Sequence, residues 1–151
     1  MKKVVFLDTG VLGVIVHPRA TEEARECVRW LRGLAAAGAR VCFAEICDYE
    51  LRRKLLHRNG HVQIGKLDAL KAQAEYVAID TEAMLEAANL WAQGRKAGHV
   101  TAPPEAVDGD VILCAQARLN VAEDDDLIIA TTNPDDIRPY VPADTWRAIT
   151  A

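Results

Sequence analysis

Apolar positions along the chain fall into two kinds of run, short unbroken ones and longer ones with helical spacing. Lys3–Leu7 (KVVFL), Arg40–Ala44 (RVCFA), Tyr76–Ile79 (YVAI) and Leu127–Ala130 (LIIA) are short, rich in β-branched or aromatic residues and bounded by polar residues. They predict buried strands, with a fifth over Thr145–Ile149. Between them the spacing is helical. Thr21 opens a predicted helix with Glu22 and Glu23 in its first turn; Val28, Leu31 and Leu34 recur on one face, and Gly38 stops it. Further helices are predicted over Glu45–His57, ended by Asn59-Gly60, over Ile64–Ala74, over Thr81–Lys96 with Thr81 as cap, and over Val111–Leu119 beginning beside Asp110. Gly98–Glu105, with Pro103-Pro104, reads as a loop.

Strands separated by helices imply βα units. The expected fold class is α/β, a three-layer sandwich whose central, largely parallel sheet of about five strands is flanked by helices. With 151 residues the chain reads as a single domain over 1–151. Half the residues are apolar and 26% are charged, which excludes a disordered or collagen-like chain. No apolar run approaches the roughly 20 residues of a membrane span, and Asp8 interrupts the run after Met1-Lys2-Lys3 too early for a signal peptide. The expected location is cytoplasmic. Cys27, Cys42, Cys47 and Cys114 form no CxxC pair and read as buried thiols in a reducing compartment. Cys42, Cys47, His57 and His61 match no standard zinc spacing. A net charge of −4 argues against a domain that holds nucleic acid by charge alone, but not against one that recruits metal cations to carboxylates.

In open parallel sheets, ligands bind beyond the carboxyl ends of the strands, so the polar residues there are the ones to weigh. Four acidic places qualify: Asp8 after the first strand, Glu50 early in the helix after the second, Asp108-Gly109-Asp110 at the start of an apolar helix, and Asn133-Pro134-Asp135-Asp136 after the fourth. Each has a plainer reading. Asp8 can cap the segment after it, Glu50 can pair with Lys54 at i+4, Asp108 or Asp110 can cap a helix, and Asp135 and Asp136 can be turn residues. Converging carboxylates repel unless a cation stands between them, and hard oxygen donors without Cys or His suit Mg²⁺ or Mn²⁺.

The ordered set LDTGVL, DYELRRKLL, GDVILCAQA and IIATTNPDDI resembles the PIN-domain family, the VapC-like ribonucleases. The resemblance runs over nearly the whole chain. It implies a PIN-like fold and metal-dependent hydrolysis of RNA phosphodiesters, with Mg²⁺ or Mn²⁺ as cofactor. Asp8, Glu50 and Asp110 match the family's metal-ligand and catalytic carboxylates. Thr131-Thr132-Asn133 matches its fourth block, with Asn133 where many members carry Asp. Asn133 can ligate or orient a water but brings no charge; Asp136 and Asp108 are the carboxylates available to restore the count. The resemblance also implies a cognate antitoxin as partner, as the toxin of a toxin–antitoxin pair, and leaves a homodimer open.

Arg52, Arg53, Lys54, His57 and Arg58 form the densest basic stretch, and helical spacing makes Arg52, Arg53 and His57 candidate RNA contacts. The plainer reading is a solvated helix face. Three competing functions remain: a PIN fold kept as a nucleic-acid-binding module with reduced or lost nuclease activity, a structural partner whose acidic residues lie far apart, and a haloacid-dehalogenase-like phosphatase. The last needs a second Asp two positions after the first, where this chain has Gly10.

Overall fold

The computed structural model describes residues 2–99 and 104–151, with side chains for 2–99 and 107–151. Five strands, β1 (Lys3–Leu7), β2 (Arg40–Ala44), β3 (Glu75–Val77), β4 (Asp126–Ala130) and β5 (Ala143–Asp144), form one sheet in the order β3-β2-β1-β4-β5. Every pairing is parallel: Val5 stands opposite Val41 and Ile128, Phe43 opposite Tyr76, and Ala130 opposite Asp144. Val4, Val5, Phe6 and Leu7 are all fully buried, although successive residues face opposite sides of the sheet. Both faces of the central strand are therefore covered by helices, as a parallel sheet requires.

The crossovers carry α1 (Thr9–Ile15) and α2 (Glu22–Ala36), then α3 (Glu45–His57) and α4 (His61–Gln73), then α5 (Thr81–Lys96) and α6 (Pro104–Leu119), and last the single turn α7 (Pro134–Ile137). The α3 and α5 ranges match expectation, and Thr21 caps α2 by accepting from the Ala24 amide at 3.1 Å. All four cysteines are buried and free, as their apolar surroundings suggest.

Four local expectations are corrected. α1 is absent from the hydrophobic reading because its sequence, TGVLGVI, holds two glycines, each costing a helix about 1 kcal/mol. It forms because Asp8 caps it and Val11 and Leu12 are buried. Gly10 allows close approach: a Cβ there would stand 2.8 Å from the Thr132 hydroxyl. α6 begins at Pro104, so residues 104 and 105 of the expected loop are helical, with proline at an N-terminal position it tolerates; residues 100–103 lie outside the described residues. Asp80, not Thr81, caps α5, accepting from the Ala83 amide at 2.8 Å. The fifth strand ends at Asp144, and Trp146–Ala148 is a 3-10 turn. There the chain leaves the sheet to pack on α2: the Trp30 and Trp146 rings lie 5.8 Å apart, and the Trp30 indole N–H donates to the Ile149 carbonyl at 2.8 Å.

Gln116 ties the crossovers together from inside the core. Fully buried, it donates to the Val77 carbonyl at 2.8 Å and accepts from the Ile46 amide at 3.3 Å, serving an α3 N-terminus whose cap residue, Ala44, has no side-chain acceptor. Gln116→Leu keeps the volume but leaves both backbone groups unpaired. We expect a loss of about 2 kcal/mol in urea unfolding, since a buried unsatisfied polar group costs about 1–3 kcal/mol; an unchanged midpoint would mean that water replaces the amide.

Candidate functional site

The strand order reverses at β1. The chain moves outward to β2 and β3 on one side, then returns across to β4 and β5 on the other, so the carboxyl ends of β1 and β4 flank the topological switch point. Asp8 leaves β1 there and Thr131 leaves β4. The buried Thr131 hydroxyl donates to Asp8 Oδ2 at 2.6 Å and accepts the Asn133 amide at 3.1 Å. Asp8 Oδ1 accepts the Thr9 amide at 2.7 Å, and the Cys47 thiol points at it from 3.9 Å. Both carboxylate oxygens are thus held, one as the cap of α1.

Glu50 comes from the second turn of α3. It stands in no ion pair with Lys54 among the described residues; its Oε1 instead accepts the Thr9 hydroxyl at 3.0 Å. Its other oxygen rests against the backbone of α6, where a Cβ on Gly109 would lie 2.5 Å from Glu50 Oε2. Any side chain at 109 displaces this carboxylate. A glycine inside a helix was a legible signal, and Gly109 is the positioning residue that sequence reasoning missed.

Asp110 follows directly, inside α6 rather than at its start. It lines one cleft of about 370 Å³ with Asp8, Thr9, Gly10, Gly13, Glu50, Leu51, Lys54 and Arg58. Burial pushes the Asp110 carboxyl up to about 7, and the charges of Asp8, Asp136 and Glu50 push the same way. Glu50 is raised as well. Burial leads there, the Thr9 hydroxyl pulls back, Asp8 adds to the rise, and Arg53 and Lys54 oppose it. The neighbouring Cys47 thiol is driven well above its usual range by burial and by Asp8.

The other sequence candidates divide. Asp136, on α7, is close enough to raise Asp110. Asp108 is not in the cleft: two residues along a helix is about 200° of rotation, and Asp108 borders an apolar groove with Met84, Trp91 and Ile112 instead. Asn133 is exposed, and its part in the bonding described is its backbone amide. Arg52 is committed elsewhere, donating to Asp48 Oδ1 at 2.9 Å and Asp68 Oδ1 at 2.7 Å, in a cluster that also joins Tyr76 to Asp48 at 2.9 Å. It fastens α3 to α4 and leaves the candidate RNA face. Arg53, Lys54, His57 and Arg58 are exposed and line a common hollow, and Lys54 and Arg58 also line the acidic cleft. The cationic face thus runs continuously into the carboxylates through two residues of the basic stretch that are not among the expected RNA contacts. Among the described residues no three His, Cys, Asp or Glu side chains stand in joint ligating geometry, so the carboxylates share the cleft without closing on one point.

The chain's sequence matches no protein-family model and no curated protein. Its structure is similar to solved structures over almost their full length, three crystal structures among them. VapBC2 from Rickettsia felis, bound to a DNA fragment from their promoter, matches with TM-score 0.73 and 14% identity over 95% of this chain and 98% of that one. The chain has the same fold, a PIN-like α/β fold around a parallel sheet. DNA-bound VapBC from Salmonella typhimurium matches with TM-score 0.68 and 19% identity, over 97% and 99%. FitAcB from Neisseria gonorrhoeae matches with TM-score 0.67 and 20% identity, over 96% and 99%. No helix among the described residues is long and apolar enough to cross a membrane.

The shifted carboxyls make the PIN fold's stability depend on pH. Asp110 binds its proton more tightly folded than at its ordinary value of 3.8, so metal-free stability falls as pH rises from about 4 to about 7 and is level above that. Asp110→Asn removes the repulsion. In EDTA it should melt no lower than the parent at pH 7.5 and show a flatter Tm profile between pH 4 and 7; a large drop at both ends would make Asp110 structural.

Proposed function

We propose that this chain is a metal-dependent endoribonuclease that hydrolyses RNA phosphodiesters at the Asp8–Glu50–Asp110 cleft, and that it is the toxin of a toxin–antitoxin pair with a cognate antitoxin. One observation carries the reading: three carboxylates from three separate segments line one cleft at the switch point of a PIN fold, with a cationic face running into it. The similarity to VapBC structures supports the pairing with an antitoxin.

The donor set fits Mg²⁺ or Mn²⁺. Every candidate ligand is a hard oxygen, and Glu50 and Asp110 are both raised by burial and by neighbouring carboxylates, the electrostatic condition a divalent cation relieves. Asp8, Glu50 and Asp110 would hold the ion, with Asp136 as the further carboxylate beside them. Bound there, it supplies Lewis-acid polarisation of the phosphate and activation of a water. The protein's own groups set the geometry. Thr131 and the Thr9 amide fix the Asp8 carboxylate, and Thr9 and the bare Gly109 backbone fix Glu50. Arg53, Lys54, His57 and Arg58 would hold the RNA backbone beside the cleft. Arg52, bound to Asp48 and Asp68, would contribute only by keeping α3 in place.

A second reading, a PIN-fold nucleic-acid-binding module with reduced or lost nuclease activity, is favoured by the neutral Asn133 and by carboxylates that do not close on one point. Metal separates the two. Mg²⁺ or Mn²⁺ should raise the parent Tm at pH 7.5 and leave Asp110→Asn unmoved. Single-stranded RNA should be cut with either metal and not in EDTA, and Asp110→Asn should lose about 10²-fold or more of that rate. RNA binding without a metal-dependent Tm shift or cleavage would establish the binding module instead.

A further inference from the structure

A second cationic surface lies outside the cleft. Arg19, Arg25, Arg29, Arg32 and Lys66, with His17, line a groove of about 310 Å³ between the C-terminal end of α1, one face of α2 and α4. These are five of the chain's 18 Lys and Arg in a protein of net charge −4, and no Asp or Glu lines the groove with them. Among the described residues none of the five stands in an ion pair with a carboxylate. Elsewhere on the surface Arg40, Arg52, Arg118, Arg138 and Arg147 all have acidic partners. The groove therefore gathers five cations that no carboxylate matches, separate from the exposed Arg53, Lys54 and Arg58 on α3 and just after it.

Its geometry is a rail. Residues 25, 29 and 32 share one face of α2, spanning about 10 Å at 1.5 Å per residue. All three are exposed, over a floor that includes the buried Ala24 and the half-buried Val28. The turn after α1 is tied in from both sides: the Lys66 ammonium donates to the His17 carbonyl at 2.7 Å, and Arg25 donates to the Ala20 carbonyl.

The groove and the acidic cleft share no lining residue, but two elements join them. α1 lines the cleft with Gly10 and Gly13 and the groove with Ile15, and its whole length is only about 10 Å. Arg58 lines the cleft, and α4, starting at His61, brings Lys66 to the groove about 7.5 Å further on.

We propose that this groove is a second RNA-backbone site, taking phosphates that flank the scissile one when a single strand lies across the cleft. This rests on the ribonuclease reading above and adds a part to it: the substrate is a strand several nucleotides long, held on both sides of the cut, with Arg53, Lys54, His57 and Arg58 on one side and the α2 arginines on the other. Charge complementarity favours a phosphate chain. Arginine forks match phosphate oxygens, and the unpaired cations repel one another until an anion arrives. Continuity with the cleft favours RNA over an unrelated polyanion.

The experiment is fluorescence anisotropy in EDTA, so that nothing is cut, with a dinucleotide RNA and a single-stranded RNA of about 12 nucleotides. The triple variant Arg25→Ala, Arg29→Ala, Arg32→Ala is compared with the parent over a salt series. A melting curve checks the fold, since all three side chains are exposed. The longer RNA should bind the variant more weakly, with a log–log salt slope shallower by about 2, at about 0.7 per phosphate contact in single strands. Dinucleotide binding should not change. Equal slopes for the longer RNA on parent and variant overturn the proposal. So does a variant that keeps its RNA affinity but loses binding to a poly-glutamate peptide, which would make the groove a site for an acidic protein segment. If the parent binds neither RNA, the ribonuclease reading itself fails, and that outcome is distinct from parent binding that the variant does not alter.

Discussion

Asp8 depends on a hydroxyl 123 residues away. The bond from Thr131 joins the carboxyl ends of β1 and β4, the paired strands at which the strand order reverses, and it fixes one oxygen of the Asp8 carboxylate. The groups around it follow from that placement. The same carboxylate caps α1, which sets Thr9, and the Thr9 hydroxyl sets Glu50. Glu50 then needs a glycine opposite it on α6, and the residue after that glycine is Asp110. A chain of short contacts thus brings acidic groups together against their mutual repulsion, with the shift visible at Asp110 and Glu50. Carboxyls that shift one another in this way cluster at functional sites.

The periodic parts of this arrangement were open to sequence reasoning and the packed parts were not. Strands β1, β2 and β4 read as unbroken apolar runs because both their faces are buried, and α3 and α5 keep a helical stripe from end to end. Asp8, Glu50 and Asp110 drew attention by following strands or lying near helix starts, and the structure places all three on one cleft. Errors arose where a contact between distant residues overrode the local pattern. α1 gave no helical signal because Gly10 is there for its close approach to Thr132, not for its own helix. Asp108 looked equivalent to Asp110 while the start of α6 was placed too late; once the helix begins at Pro104, two positions of rotation separate their faces. Arg52 looked free because Asp68, its second partner, lies on another helix. The apparent strand at Thr145–Ile149 has the right residues, but Trp146 is drawn out of the sheet by Trp30.

Charge is distributed here by territory rather than by balance. Lys54 and Arg58 line the cleft with the carboxylates without forming ion pairs among the described residues, which leaves charges of both signs open to it. A direct ion pair would have silenced both. Arg52 shows the opposite use, with both partners at hydrogen-bond distance and a role in holding α3 against α4. The same residue type therefore bridges two carboxylates at 52 and, at 53, one position and about 100° further round the helix, lies exposed over the Tyr49 ring without an acidic partner among the described residues.

This separation bears on how an acidic protein could collect an anionic polymer. A net charge of −4 repels RNA at long range, and screening confines any attraction to about 10 Å at ordinary ionic strength. Cations spread evenly over such a surface would be cancelled by their neighbours. Gathering five of them along α2, α4 and the turn before α2, away from carboxylate partners, creates a local field that survives the overall sign. The groove shares no lining residue with the cleft, where Lys54 and Arg58 are the cations beside the carboxylates. The α1 helix is the short spacer between the two surfaces, lining the cleft with Gly10 and Gly13 and the groove with Ile15.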